Sequence, residues 1–430
     1  MRARFALVLS ASLALAACQG DDINPSGSTA LNAAAVQENL LAIVPDAALN
    51  NAQRGLLATI RGRASTAEVH LARVAAAPGR LLHKDGAVRL AVAPGVNVVA
   101  LGQRVEQRAA EDISWAGPIQ GGEGWVQMVM MDGGITASVR IGIGTLYSIE
   151  PLGNGLHAVS RIDESGFPSE HTADNPSGAL SSAIDAAADG FLAARSPGSG
   201  DGTVGIAALT TTNVLVVYTA SAASAAGNIA SKIQLAVDET NQSYVNSGVN
   251  INMVRVHTAQ VTYSESGRSF TTHVNNLKGT TDGQMDNVHT LRNTYGADVV
   301  LLVVNDSEAC GIAAAIKATV TTAFAVAHYS CITGYYSFAH EIGHLQGARH
   351  DRFVDGSTSP YAYGHGFIPS TKNWRTVMAY GNNCSNCTRI QWWSNPLKTY
   401  PATGQVMGTV AYEDNARVLN LTAPTVAAFR

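Results

Sequence analysis

Twelve residues constrain this chain more than any others: His340-Glu341-Ile342-Gly343-His344-Leu345-Gln346-Gly347-Ala348-Arg349-His350-Asp351. Residues four apart share a helix face, so a helix here presents the imidazoles of His340 and His344 to one point in space. Glu341 stands beside the first and can reach a water at that point without binding a metal itself. Gly347 accepts the left-handed backbone that a sharp helix exit needs, which lets His350 swing back as a third ligand. Three protein ligands leave a fourth position open, the mark of a catalytic zinc site rather than a structural one. The bare His-Glu-x-x-His pattern arises by chance in about one chain in a hundred of this length. The added glycine and third histidine lower that about a thousandfold. The expected cofactor is one zinc ion. Calcium is allowed but not indicated, and there are no glycine-aspartate nonapeptide repeats.

A second element supports this reading. Thr376-Val377-Met378-Ala379-Tyr380 follows the zinc segment. Together the two resemble the metzincin clan, in which a tight turn places a methionine under the three histidines. Met378 matches that methionine. Tyr380 stands two residues on, at the spacing where astacins and serralysins place a tyrosine that approaches the metal, so it is a candidate to steady an oxyanion. Asp351 directly follows the third histidine, as in the adamalysin branch, and is expected to hold the helix exit or orient a ligand. The resemblance narrows over Ala309-Cys310-Gly311-Ile312-Ala313, Tyr336-Ser337-Phe338-Ala339, Trp374 to Tyr380, and Arg389 to Pro396. These stretches are similar to the reprolysin-like bacterial peptidases that include peptidyl-Asp metalloendopeptidases. Gln391-Trp392-Trp393 departs from that pattern. The implied activity is hydrolysis of peptide bonds in proteins, with Glu341 as general base. If the enzyme prefers acidic residues, a cation must line its pocket; Arg389 is the first candidate and Arg375 the second. The clan binds substrate along an exposed sheet edge. Thr322 to His328 is the expected edge, where small residues such as Ala325 would admit a peptide backbone. The alternative reading is a non-catalytic lipoprotein that binds partners through a degenerate protease fold.

The organisation of the chain is consistent with an exported enzyme. Met1-Arg2-Ala3-Arg4 is basic, and Phe5 to Ala17 is apolar but too short to span a bilayer as a mature helix. Leu15-Ala16-Ala17-Cys18 resembles a lipoprotein signal over 1–17, with lipid attached at Cys18. Gln19 then favours the outer membrane. Residues 18–30 read as a tether. With Cys18 set aside, Cys310, Cys331, Cys384 and Cys387 remain. An even number in an exported chain reads as two disulfides. Of three pairings, proximity favours Cys310–Cys331 and Cys384–Cys387. Residues 31–195 read as a propeptide-like domain. Within it, 31–62 carry helical periodicity, and 87–165 carry short alternating strands with a turn at Asp132-Gly133-Gly134. Ser196-Pro197-Gly198-Ser199-Gly200 begins a linker over 196–204. From 205 to 430 strands alternate with helices, including the buried runs Val214 to Tyr218 and Val299 to Val304.

The expected class is therefore α+β: a β-rich N-terminal propeptide module, then a metzincin-type α/β catalytic domain with a twisted mixed sheet, a zinc-binding helix and a methionine turn. Net charge is −4, which points away from nucleic acid. The expected partners are protein or peptide substrates, with membrane contact only through the N-terminal lipid and a monomeric chain. The expected location is an outer-membrane lipoprotein, or a secreted enzyme after propeptide cleavage. No cysteine lies between Cys18 and Cys310. A thiolate latch on the metal is therefore excluded there, and any latency needs a carboxylate, a histidine or steric cover.

Overall fold

The computed structural model describes residues 38–45, 47–170 and 209–430. The signal, the tether, Cys18 and the 196–204 linker lie outside them. Gln37–Arg430 forms one compact unit, and no helix among the described residues is long and apolar enough to cross a membrane.

The N-terminal module is built on one ten-stranded sheet. Its elements are β1 (Glu38–Val44), α1 (Asn51–Arg61), β2 (Thr66–Val74), β3 (Ala87–Ala93), β4 (Val96–Leu101), β5 (Arg104–Ala109), β6 (Asp112–Pro118), β7 (Gly124–Met131), β8 (Gly134–Ile141), β9 (Thr145–Gly153) and β10 (Leu156–Ile162). Their order is β4-β3-β1-β2-β10-β9-β8-β7-β6-β5. The β7–β8 hairpin turns through Asp132 and Gly133, both at positive φ, as a two-residue primed turn requires. The helical periodicity read over 31–62 holds only from Asn51, where Asn50 and Gln53 form a capping box. Glu38–Val44 is a strand instead. Leu41 pairs with Val74 of β2 and Leu90 of β3, and tertiary pairing overrides the helix-like spacing of this segment.

β8 shows how this module meets the rest of the chain. Ile135, Ala137 and Val139 point into the module's own core. Thr136, Ser138 and Arg140 alternate onto the opposite face and are also buried. That face lies on the second half of the chain: Thr136 Oγ1 is 2.6 Å from Ser231 Oγ, and Arg140 donates to the Gly334 carbonyl at 2.9 Å.

The second half contains β11 (Thr210–Tyr218), α2 (Ala220–Ala226), α3 (Ile229–Ser247), β12 (Ile251–Gln260), α4 (Phe270–Lys278), α5 (Asn287–Thr294), β13 (Val299–Val304), β14 (Gly311–Ala313), β15 (Phe324–His328), α6 (Ser337–Leu345) and α7 (Asn415–Val426). Its sheet runs β12-β11-β13-β15-β14, parallel except for β14. Every residue of β13 is buried. Val299, Leu301 and Val303 feed one core, and Val300, Leu302 and Val304 the other. A parallel strand covered on both faces needs such an unbroken apolar run. α6 joins the first of these cores through Phe338, Ala339, Ile342 and Leu345. Met378 and Trp393 belong to the same core and lie against Gly343 of α6.

Candidate active site

α6 carries His340 and His344 one turn apart, and its exit carries His350. Gly347 holds φ +104 at that exit, a conformation costly for any residue with a side chain. The last helical carbonyls stay satisfied, because Lys317 N donates to His344 O and Ala318 N to Leu345 O, each at 2.8 Å. The chain then turns so that the Nε2 of His350 comes 3.1 Å from that of His340 and 2.9 Å from that of His344. All three rings are buried, and one ligand atom from each lies within 4.8 Å of the others.

The outer ring nitrogens of two histidines are spoken for. His340 Nδ1 lies 2.9 Å from Val377 O, and His344 Nδ1 lies 2.9 Å from Ala348 O. A carbonyl only accepts, so each Nδ1 carries the hydrogen and each Nε2 presents a lone pair. His350 Nε2 can donate at most one hydrogen between the two. At least one pair of lone pairs therefore faces across about 3 Å, an arrangement that a shared cation relieves. Burial lowers the basicity of His340, helped by His344, and lowers His344 to about 4, so both rings are neutral at pH 7. The donor set fits a divalent metal.

Around this triad the remaining residues fall into place. Glu341 is buried, its carboxyl is pushed well up by burial, and its Oε2 has no hydrogen-bond partner. Gly311 of β14 lies so close that a methyl group there would run into the Glu341 carboxylate. Met378 is fully buried beneath α6; a Cβ built on Gly343 would sit 2.9 Å from its sulfur and 2.6 Å from Trp393. Tyr380 lies against the triad, its ring 3.9 Å from that of His350. Asp351 fixes the turn, accepting from Tyr380 N at 2.9 Å and from Phe353 N at 3.1 Å. The two disulfides are Cys310–Cys331 and Cys384–Cys387, the pairing that proximity favours.

Arg375 and Arg389 sit together on a short parallel pairing of Trp374–Arg375 with Thr388–Arg389. Each is 1% exposed. Arg375 donates to Tyr335 Oη at 2.9 Å, and Arg389 donates to Tyr335 O at 3.1 Å. Both guanidinium groups reach Glu170 Oε1, Arg375 at 2.8 Å. Tyr335 Oη donates to the same oxygen at 3.0 Å, and Gly381 N donates to Glu170 Oε2 at 2.9 Å. Burial pushes the Glu170 carboxyl up, but Arg375, Arg389 and the Gly381 N–H outweigh it and hold the group below the ordinary range.

The expected substrate edge needs correction. Ala325 lies on β15, which is enclosed by β13 on one side and β14 on the other, and it is fully buried. The edge beside α6 is β14. Its three residues were too short a run to register as a strand. Glu170 and Tyr335 also went unrecognised: Glu170 meets Tyr335 and Arg375 across 165 and 205 residues, and Tyr335 meets the two arginines across 40 and 54.

Comparison with known proteins matches this site. A family model described as metallo-peptidase family M12 matches residues 208–394. Residues across the chain are 46% identical over 306 residues to a peptidyl-Asp metalloendopeptidase of Stenotrophomonas maltophilia (strain K279a), covering 69% of this chain and 68% of that protein. A protein of the same name from Xanthomonas campestris pv. campestris is 45% identical, covering 69% and 67%. A third, from Pseudomonas fragi, is 44% identical over 195 residues, 45% of this chain and 100% of that one.

Proposed function

The chain belongs to metallo-peptidase family M12 and is a metalloendopeptidase, and from that premise we propose that its metal is zinc, its general base Glu341 and its preferred cleavage sites acidic. The observation that carries this reading is the convergence of three buried imidazoles beside a buried Glu341 whose Oε2 has no hydrogen-bond partner. When bound, zinc supplies Lewis acidity, polarising a carbonyl and acidifying water toward neutrality. His340, His344 and His350 would hold it through Nε2.

The chain's own groups do the rest. Glu341 Oε2 is free to accept a proton from water and pass it to the departing amine. Tyr380 Oη donates to a peptide carbonyl, that of Glu170, at 3.4 Å. A substrate carbonyl brought to that spot would meet the same donor, which supports Tyr380 as an oxyanion partner. Substrate is expected along the free edge of β14, whose Gly311 lets the Glu341 side chain lie against that strand.

Two buried guanidinium groups side by side are costly without an anion. Arg375 and Arg389 already hold one carboxylate, so their pocket suits an aspartate or glutamate side chain. The relatives' name, peptidyl-Asp metalloendopeptidase, agrees with that preference. The residues before 196 would act as a propeptide module. Lipid at Cys18 would anchor the precursor, and cleavage within 196–204 would release a monomeric catalytic part.

Chelator-sensitive cleavage of a denatured protein, with the cut sites mapped by mass spectrometry, tests this reading. Cuts beside Asp and Glu that vanish with chelator and with Glu341→Gln are expected. A Glu341→Gln chain as active as wild type would favour another base. Absence of cleavage in the processed wild type would favour the binding-module alternative. Cuts spread over neutral residues would remove the acidic preference.

A further inference from the structure

We propose that Glu170 is a built-in pseudosubstrate: its carboxylate occupies the subsite that Arg375, Arg389, Tyr335 and the Gly381 N–H form for an acidic side chain, and so keeps the precursor latent. This rests on the reading of the chain as a protease with an acidic preference, and adds how that site is controlled.

The geometry is that of a bound peptide rather than a surface ion pair. Among the described residues, Glu170 is the sole ion-pair partner of both buried arginines. Its two oxygens take four donors between them, three on Oε1 and one on Oε2. Charge-assisted hydrogen bonds from arginines, joined by donors to both oxygens, are how proteins select carboxylates. The main chain is engaged as well. Cys310 N, just before β14, donates to Ser169 O at 2.7 Å, so the segment meets the free sheet edge. On the other side Tyr380 Oη donates to Glu170 O at 3.4 Å. Phe167 stacks on Tyr335 with ring centroids 4.4 Å apart. The segment therefore runs between the edge strand and the methionine turn, where a substrate would have to lie.

The charge balance points the same way. Without Glu170 the pocket holds two buried positive charges and the Gly381 N–H, and among the described residues no other carboxylate forms an ion pair with either guanidinium group. An acidic side chain from a substrate restores the balance; a neutral one does not. The device differs from a metal-directed latch, because Glu170 meets the arginines and not the histidines. Removing the N-terminal module would withdraw the competitor and leave the subsite open.

The experiment uses the intact full chain, its length verified by mass spectrometry, and a quenched peptide containing one aspartate. Intact Glu170→Gln is expected to cleave at least tenfold faster than intact wild type. Wild type nicked by limited proteolysis in 171–208 should also cleave, and a synthetic peptide spanning 163–170 should inhibit it. The same peptide carrying Glu170→Gln should inhibit at least tenfold more weakly. This second arm needs no folded variant. A purely structural role for Glu170 predicts a lower melting temperature in Glu170→Gln with no gain in rate and no difference between the peptides; that result overturns the proposal while nicked wild type still cleaves. If neither nicked wild type nor Glu170→Gln cleaves, the protease reading falls, and the proposal with it.

Discussion

Replacing Glu150 should loosen the N-terminal module from the catalytic half. Glu150 of β9 pairs with Arg63, which follows α1, and its Oε2 lies 3.1 Å from Lys232 Nζ of α3. Arg63 also donates to Tyr329 Oη at 3.2 Å and Ala225 O at 3.0 Å. The Glu150 and Lys232 side chains are each 3% exposed. Burial pushes the Glu150 carboxyl up, but Arg63 and Lys232 outweigh it and hold it at about 2, against an ordinary 4.5. At about 1.4 kcal/mol per pH unit, that difference corresponds to about 3 kcal/mol of stability at neutral pH. The sign follows from the direction. The unfolded carboxyl takes up its proton below about pH 4.5, and the folded one resists until about pH 2. The contribution is complete above 4.5 and shrinks as pH falls, with about 2 kcal/mol gone by pH 3. Glu150→Gln removes the charge and leaves two buried cations without their anion, a change that costs about 3–5 kcal/mol. Urea denaturation of the full chain at pH 7 and pH 3 reads both quantities. Wild type should lose about 2 kcal/mol more than Glu150→Gln between the two pH values. A cost below about 1 kcal/mol at pH 7, or parallel pH profiles, would refute the reasoning.

Other perturbations have equally definite outcomes. Gly343→Ala places a methyl group 2.6 Å from Trp393 and 2.9 Å from the Met378 sulfur; despite a helix-propensity gain of about 1 kcal/mol, overpacking should cost a net of about 2 kcal/mol and weaken metal retention, measured by melting and metal content. Removing the Cys310–Cys331 bridge, which spans 21 residues, should cost about 3 kcal/mol by denaturation. Tyr380→Phe keeps the ring against His350 but removes the donor, and should lower kcat about ten- to a hundredfold with little change in KM.

What the sequence disclosed, and what it hid, follows the range of the interactions. α6, its exit at Gly347 and the turn at Met378 depend on spacings of a few residues, so they were readable as written. The same holds for Cys384–Cys387 and for β13, whose unbroken apolar run needs cover on both faces. β1 was misread, because Leu40, Leu41 and Ile43 fit a helical stripe until Leu41–Val44 pair with Leu71–Val74. β14 escaped notice because three residues carry no period, and only its antiparallel pairing with β15 makes it the edge. Arg375 and Arg389 were named as candidate cations from residue type alone. Their shared carboxylate could not be, because Glu170 reaches them only once the module is folded onto the catalytic half. The weak signal available was a lone carboxylate just beyond Phe167-Pro168, at the end of the strand-rich region.

The central claim is that His340, His344 and His350 hold one ion while Glu341 moves the proton. Elemental mass spectrometry of gently purified chains, paired with peptide hydrolysis after processing, tests it most directly. Wild type and Glu341→Gln should each carry about one zinc per chain, with hydrolysis lower in Glu341→Gln by about a hundredfold or more. His350→Ala should lose both the metal and the activity. A wild-type chain without metal that still hydrolyses peptides, or a Glu341→Gln chain of undiminished activity, would contradict the account.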